Sequence, residues 1–128
     1  MKIDHIAVAS NTEKDADKFY IELLGLKKTR SFKVIAELME KFFSVNKECL
    51  LIRYENEEMD VEVFVTDDDS KVQDIYTHNC LLVEDPEELV SKANSMGYIT
   101  LKISRKDSGY YYFLKDLYEN LYEIKKIM

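Results

Sequence analysis

The sequence of 128 residues has no tryptophan, one proline, three glycines, two histidines and two cysteines. It also lacks a basic excess, because 18 lysines and arginines stand against 25 aspartates and glutamates, giving a formal net charge of −7. Phosphate groups are bound by positively charged surfaces, so nucleic acid and anionic membranes are not expected as partners. Since 46% of the residues are apolar, the chain can form a globular core.

Long hydrophobic runs are missing as well. Charged residues interrupt every apolar segment, so no stretch is long enough to span a bilayer, and residues 1–5 do not resemble a secretory leader. We therefore predict a cytoplasmic protein. Cys49 and Cys80 lack the close spacing of a metal motif, and in a reducing compartment they are expected to be small buried hydrophobes and not a disulfide.

Hydrophobic periodicity predicts an α+β fold. Alternating and β-branched segments predict strands at 3–9, 26–34, 48–55, 60–66, 76–84, 98–103, 110–114 and 121–127. Helical spacing predicts helices at 16–24, 35–43 and 85–96, the last with Asp85 as N-cap and Pro86 in the first turn. We predict one domain over 1–128, with module 1 at 1–66, a linker at 67–75 and module 2 at 76–128.

The two halves of the chain repeat each other. His5 lies on a strand that is followed by a helix ending at Gly25, 20 residues later, and His78 lies on a strand followed by a helix ending at Gly97, 19 residues later. Each half has the order β-α-β-β-β, and the extra helix at 35–43 is an insertion in the first half. We expect the two modules to form a curved mixed sheet around a ligand cavity.

Each half also ends in a strand that carries one glutamate, Glu62 or Glu123, among apolar residues. Taken singly, the histidines can be satisfied core residues, Glu62 one end of a salt bridge, and Glu123 the cross-strand partner of a lysine such as Lys102 or Lys125. Taken together, the repeat would bring two imidazoles and two carboxylates close to a pseudo-twofold axis. This mixed nitrogen and oxygen set suits a divalent transition metal.

At this point the sequence resembles a known family, the vicinal oxygen chelate superfamily. The superfamily includes glyoxalase I, methylmalonyl-CoA epimerase, extradiol dioxygenases, fosfomycin-resistance enzymes and metal-free bleomycin-binding proteins. The resemblance spans the whole chain and is strongest in the following segments: Phe19-Tyr20, Leu23-Leu24-Gly25-Leu26, Tyr112-Phe113-Leu114-Lys115-Asp116 and Asn120-Leu121-Tyr122-Glu123-Ile124.

The resemblance implies a metal-dependent lyase or isomerase of the glyoxalase or epimerase type. The implied ligands of one divalent ion (Ni, Co, Zn, Mn or Fe) are His5, Glu62, His78 and Glu123. The ion would polarise a carbonyl of a small molecule with adjacent oxygens, Glu123 would move the proton, and Glu62 would be a ligand or the opposite acid. Two alternatives remain: a dioxygenase using His5, His78 and Glu123, and a metal-free drug-binding protein of the bleomycin-resistance type.

The resemblance also bears on the substrate and on assembly. It implies a homodimer with a small-molecule substrate. Glutathione is not expected as the substrate, because the sequence has Ala9 and Thr66 where glutathione-using glyoxalases usually carry arginine and asparagine. The helical spacing of residues 35–43 favours a core role for the inserted helix. The alternative is a wall of the substrate cavity, formed by Met39, Phe42, Phe43, Tyr110 and Tyr112.

Overall fold

The computed structural model describes all residues, Met1–Met128. The chain forms two compact units, Met1–Ser70 and Lys71–Met128. Each unit holds its own four-stranded mixed sheet. Apart from the helix inserted in unit 1, the elements of each unit follow one another along the chain in the order β-α-β-β-β. This confirms the predicted α+β class and the tandem modules. No helix is both long enough and apolar enough to cross a membrane.

Unit 1 places its first and last strands side by side at one edge of the sheet. The spatial order is β1-β4-β3-β2, in which β1 and β4 are parallel and the other neighbours are antiparallel. A short α-helix, α1, continues as a π-helical segment, and a second helix, α2, lies between β2 and β3 in sequence. The bounds are β1 Ile6–Ser10, α1 Glu13–Ala16, π-helix Asp17–Leu23, β2 Lys27–Val34, α2 Ala36–Phe43, β3 Cys49–Glu55 and β4 Asp60–Val65.

The first helix begins earlier than the apolar spacing predicts. Thr12 is its N-cap, and its side chain accepts a hydrogen bond from the backbone N–H of Asp15 at 3.0 Å. Gly25 follows the helix with φ +76°, a left-handed conformation that glycine adopts without a Cβ clash. The buried residues of the helix face the buried side of the sheet. On the helix they are Ala16, Phe19, Tyr20 and Leu23, and on the sheet they are Ile52, Tyr54, Val61 and Val63.

Unit 2 repeats this arrangement without the inserted helix. Its sheet has the order β5-β8-β7-β6, with β5 and β8 parallel. The bounds are β5 His78–Val83, α3 Pro86–Ser95, β6 Ile99–Ser104, β7 Tyr110–Lys115 and β8 Leu121–Lys126. Asp85 caps α3 as predicted, because its side chain accepts from the backbone N–H of Glu88 at 3.1 Å.

A polar contact that joins helix and sheet occurs in unit 1, and we call it the tyrosine clasp. The buried Tyr54 on β3 donates its hydroxyl to Asp17 at 2.7 Å. Lys28, directly opposite Tyr54 on β2, donates to Asp17 at 3.0 Å and to Glu13 at 2.7 Å. Burial, followed by the bond to Asp17, raises the pKa of Tyr54, so the hydroxyl stays protonated and remains a donor.

Unit 2 has a tyrosine clasp of the same design. Tyr112 on β7 donates its hydroxyl to Glu87 of α3 at 2.5 Å, and Lys102, directly opposite on β6, donates to the same carboxylate at 2.9 Å. The bond from Tyr112 is the main reason that the pKa of Glu87 lies below its usual range. Each module therefore holds its helix on the sheet through a tyrosine, a carboxylate and a lysine, although Tyr54 stands opposite the residue before Glu62 and Tyr112 stands opposite the residue after Glu123.

Candidate metal-binding site

Glu62 lies on the face of the unit 1 sheet that points away from the first helix. In the strand register it stands beside Ala7 of β1 and Arg53 of β3. Since side chains alternate along a strand, these three share a face, while Val61 and Val63 are buried on the other. His5 precedes β1 on the same side, and its Nε2 lies 3.2 Å from Oε1 of Glu62. The structure brings His5 and Glu62, two of the four predicted ligands, together within this unit.

The other ring nitrogen of His5 also has a carboxylate partner. Nδ1 lies 2.8 Å from Oδ2 of Asp4, and a carboxylate accepts hydrogen bonds, so Nδ1 donates to Asp4. This bond is the main reason that the pKa of Asp4 is lowered. Histidines that bind metals commonly donate one ring N–H to a carboxylate or carbonyl and present the other nitrogen to the ion. His5 is held in this way, with Nε2 directed at Glu62.

Glu62 has a second partner that sequence reasoning did not identify. Nη2 of Arg53 donates to Oε2 of Glu62 at 2.9 Å, and Nε of Arg53 lies 3.2 Å from Oδ1 of Asp60. The salt bridge that the sequence left open for Glu62 therefore exists. Arginine at position 53 gave no signal by itself, because its meeting with Glu62 depends on the antiparallel register of β3 and β4.

Unit 2 brings the other two predicted ligands, His78 and Glu123, close to each other. Nε2 of His78 lies 3.8 Å from Oε1 of Glu123. Nδ1 of His78 lies 2.9 Å from the backbone carbonyl of Tyr76, and a carbonyl can only accept, so Nδ1 carries the proton here as well. Both histidines thus present Nε2 to the glutamate of their own module.

The strand neighbours of Glu123 differ from those of Glu62. They are Cys80 on β5 and Phe113 on β7, so no guanidinium stands in the Arg53 position. Burial, followed by the charge of Glu123, raises the pKa of the Cys80 thiol, which keeps the thiol protonated. Glu123 is only 16% exposed, and its nearest strand neighbours are a neutral thiol and an aromatic ring.

The four predicted ligands fall into two pairs, and no group of three or more histidine, cysteine, aspartate or glutamate side chains is arranged to hold a metal ion. Two adjacent ligands of an octahedral or tetrahedral ion lie about 3.0 to 3.4 Å apart when each bond is about 2.1 Å. The 3.2 Å between His5 and Glu62 matches this spacing, and a small side-chain rotation would bring the 3.8 Å between His78 and Glu123 into range. Each pair therefore fits half of a nitrogen and oxygen coordination shell.

Unit 1 also contains a cavity of about 470 Å³, and one of its lining residues is Ala7, which stands beside Glu62 in the strand register. Ala9 and Phe64 line it, and both follow the pair along the strands on the same face. Met39 and Phe43 of α2 line it too, whereas Phe42 is 63% exposed and is not among the lining residues. The inserted helix thus contributes to a core cluster through Met39 and to a cavity wall at the same time.

The structure places Tyr110 and Tyr112 away from Glu123. Phe113 is the residue opposite Glu123 in the register, so alternation directs Tyr112 to the other face, where it belongs to the tyrosine clasp. Tyr110 packs against Tyr112 with ring centroids 6.0 Å apart. The proposal that Tyr110 and Tyr112 help to wall the substrate cavity stays a prediction, and in this structure the Tyr112 hydroxyl is bound to Glu87 on the helix side of the sheet.

Comparison with solved structures identifies the fold. A glyoxalase family protein from Enterococcus faecalis matches with a TM-score of 0.72 and 20% identity, over 96% of this chain and 95% of that one. A glyoxalase family protein from Bacillus cereus matches with a TM-score of 0.72 and 14% identity, over 98% and 93%. The chain has the vicinal oxygen chelate fold.

The vicinal oxygen chelate fold is also shared with a fosfomycin resistance protein. FosX from Listeria monocytogenes, in complex with Mn(II) and sulfate, matches with a TM-score of 0.71 and 13% identity, over 99% of this chain and 93% of that one. No protein-family model and no curated protein matches the sequence. At these identities, the likeness to solved vicinal oxygen chelate structures concerns the fold, and the activity has to be argued from the side chains.

Proposed function

We propose that the protein is a metal-dependent lyase or isomerase that acts on a small molecule with adjacent oxygens. The observation that carries the proposal is that the two histidine rings are held in the same way. In each module Nδ1 is held by an acceptor, Asp4 or the Tyr76 carbonyl, and Nε2 faces a glutamate. A duplicated arrangement of this kind is typical of metal ligation, and the Mn(II) complex of the FosX neighbour lends it support.

In this proposal the donors to one divalent ion are the two histidine nitrogens and the carboxylates of Glu62 and Glu123. A bound ion would make a carbon–hydrogen bond beside a carbonyl more acidic by polarising that carbonyl. Glu123 is the proposed base, because no arginine stands on either neighbouring strand to hold its charge. Glu62 is the proposed ligand or opposite acid. The homodimer and the cytoplasmic location remain predictions.

The cavity of unit 1 is the proposed site for the apolar part of the substrate. Phe43 and Phe64 stand in edge-to-face contact with centroids 5.2 Å apart, and together with Met39 they give it an apolar wall. Lys47, Thr66 and Asp68 supply polar groups at the lining. Cavities of this size that combine apolar walls with a few polar groups are typical of small-molecule sites.

The test is metal analysis of the purified protein, followed by calorimetric titration of the metal-stripped protein with Mn²⁺, Ni²⁺, Co²⁺, Zn²⁺ and Fe²⁺. We expect about one equivalent of one ion per chain. His5→Ala and His78→Ala should each lower the affinity at least about tenfold, because each removes a ligand. Asp107→Ala, an exposed acidic residue outside both pairs, is the control and should bind as the native protein does.

Two results would contradict the metal proposal. One is a native protein that binds none of these ions, and the other is full affinity in both histidine variants. The cavity then favours a second candidate function, the binding of an apolar small molecule without turnover, because none of the four proposed metal ligands is among its lining residues. Binding of such a ligand by a metal-free protein would support that function.

A further inference from the structure

Three charged side chains line the apolar cavity of unit 1, and the two acidic ones have partners of their own. The three are Lys47, Glu48 and Asp68. Glu48 lies 3.4 Å from the ammonium of Lys33. Oδ1 of Asp68 accepts from the backbone N–H and the hydroxyl of Ser70 at 3.0 and 2.6 Å. The bond from the Ser70 hydroxyl is the main reason that the pKa of Asp68 is lowered to about 2, so this carboxylate stays ionised.

Lys47 is the one cation among the lining residues, and it is bound differently. Its Nζ donates to the backbone carbonyl of Thr66 at 3.0 Å. A carbonyl carries no net charge, so this bond fixes the position of the ammonium without neutralising it. An ammonium has three N–H donors, and two of them remain for a ligand.

We propose that the unit 1 cavity binds an ionised apolar carboxylic acid, whose carboxylate accepts hydrogen bonds from Lys47 and whose apolar part lies against Phe43 and Phe64. The inference names the substrate class of this site and rests on the function proposed above. Lys47 then determines specificity, because it favours an acid over a neutral molecule of the same shape.

Asp68 limits the charge of the ligand. Its carboxylate acts electrostatically on Lys47, so it repels an anion bound there, and it repels a dianion more strongly than a monoanion. A cationic ligand would instead be repelled by Lys47, and Oδ1 of Asp68 already accepts from Ser70. A carboxylate has a single charge and two oxygens, which suit the two free donors of Lys47.

The position of Lys47 along the sheet defines which part of the ligand it holds. Thr66, whose carbonyl binds Lys47, comes four residues after Glu62 in the sequence, which is about 13 Å along an extended chain. Ala7, at the other end of the lining, stands beside Glu62 in the strand register. The carboxylate at Lys47 is therefore a recognition group, remote from the carbonyl that reacts in the proposed function.

The experiment is a fluorescence titration of the native full-length protein with naphthylacetate, naphthylethanol and naphthylethylamine. These compounds share one ring and one chain length, and they are an anion, a neutral molecule and a cation. Naphthylacetate should bind about tenfold tighter than naphthylethanol, because hydrogen bonds between charged groups are the stronger ones. Naphthylethylamine should bind more weakly than either.

Four variants test the role of Lys47. Lys47→Met should weaken naphthylacetate binding about tenfold and leave naphthylethanol binding within about twofold, so the alcohol reports that the cavity is still folded. Lys47→Arg keeps the charge and should bind the acid within about threefold of the native protein. Asp68→Asn should tighten acid binding about threefold, because it removes a repulsion. Lys41→Met is the matched control, since this exposed lysine of α2 pairs with Glu37 at 3.1 Å and does not line the cavity.

Addition of a chelator separates the inference from the metal-dependent function. An acid held by Lys47 keeps its affinity when EDTA is present, whereas an acid bound to a metal ion loses affinity and does not respond to Lys47→Met.

The inference would be overturned by equal affinity for acid and alcohol, by tighter binding of the amine, by binding of none of the three compounds, or by native acid affinity in Lys47→Met. Each of these results leaves the metal-dependent function standing. A protein that binds no metal ion but prefers the acid through Lys47 would overturn only the metal-dependent function.

Discussion

The two modules have the same strand order but differ in the residues that surround the equivalent glutamate, Glu62 or Glu123. In both, a histidine at the first strand presents Nε2 to a glutamate on the last strand. In unit 1 that glutamate is bound by Arg53, whereas in unit 2 it lies between Cys80 and Phe113. The repeated topology therefore places a histidine and a glutamate together in each module, and the adjacent strands give the two glutamates different surroundings.

The comparison is tested most strongly by moving the arginine to the other module. Phe113→Arg places a guanidinium opposite Glu123, as Arg53 stands opposite Glu62. If a neighbouring guanidinium is what weakens a carboxylate donor, this variant should lose about 100-fold in Mn²⁺ affinity, measured by calorimetry.

Phe113→Met is the control for this variant, since it removes the ring without adding charge. It should bind Mn²⁺ within about threefold of the native protein. If Phe113→Arg binds Mn²⁺ with native affinity, the residue beside Glu123 on the neighbouring strand does not set how strongly that glutamate binds the ion.

Much of the fold follows from local sequence patterns. Asp85, Pro86 and Gly97 mark the ends of α3, and the structure has that helix at Pro86–Ser95. Periodicity found the strands as well, including β3 at Cys49–Glu55 and β4 at Asp60–Val65. Capping and alternation are properties of neighbouring residues, so one sequence is enough to detect them.

The contacts of the candidate site depend on register, which the sequence does not display. Arg53 meets Glu62 only because β3 and β4 pair with those residues opposite each other. The same limit applies to Tyr112, since the alternation in 110–114 does not say which set of side chains faces α3. The tyrosine clasps were missed for this reason too, because each joins a helix to two strands.

A smaller effect is expected from the cavity of unit 1. Ala9 lines it opposite Phe64, and the equivalent position of unit 2, four residues after the histidine, is the exposed Leu82. Ala9→Phe should fill part of the space and weaken binding of the apolar dye anilinonaphthalene sulfonate about tenfold, measured by fluorescence titration. Leu82→Phe is the matched control and should leave dye affinity unchanged. Equal dye binding in the two variants would show that the dye does not occupy this cavity.

The smallest effect concerns the tyrosine clasps, which share a design but differ in burial. Tyr54 is fully buried and Tyr112 is partly exposed. Tyr54→Phe should lower the free energy of unfolding by about 1 kcal/mol, because it removes the hydrogen bond that the fully buried tyrosine donates to Asp17. Tyr112→Phe should leave the denaturation midpoint almost unchanged, because water can replace the lost partner of Glu87. Urea denaturation followed by circular dichroism measures both, and equal losses would mean that burial does not distinguish the two clasps.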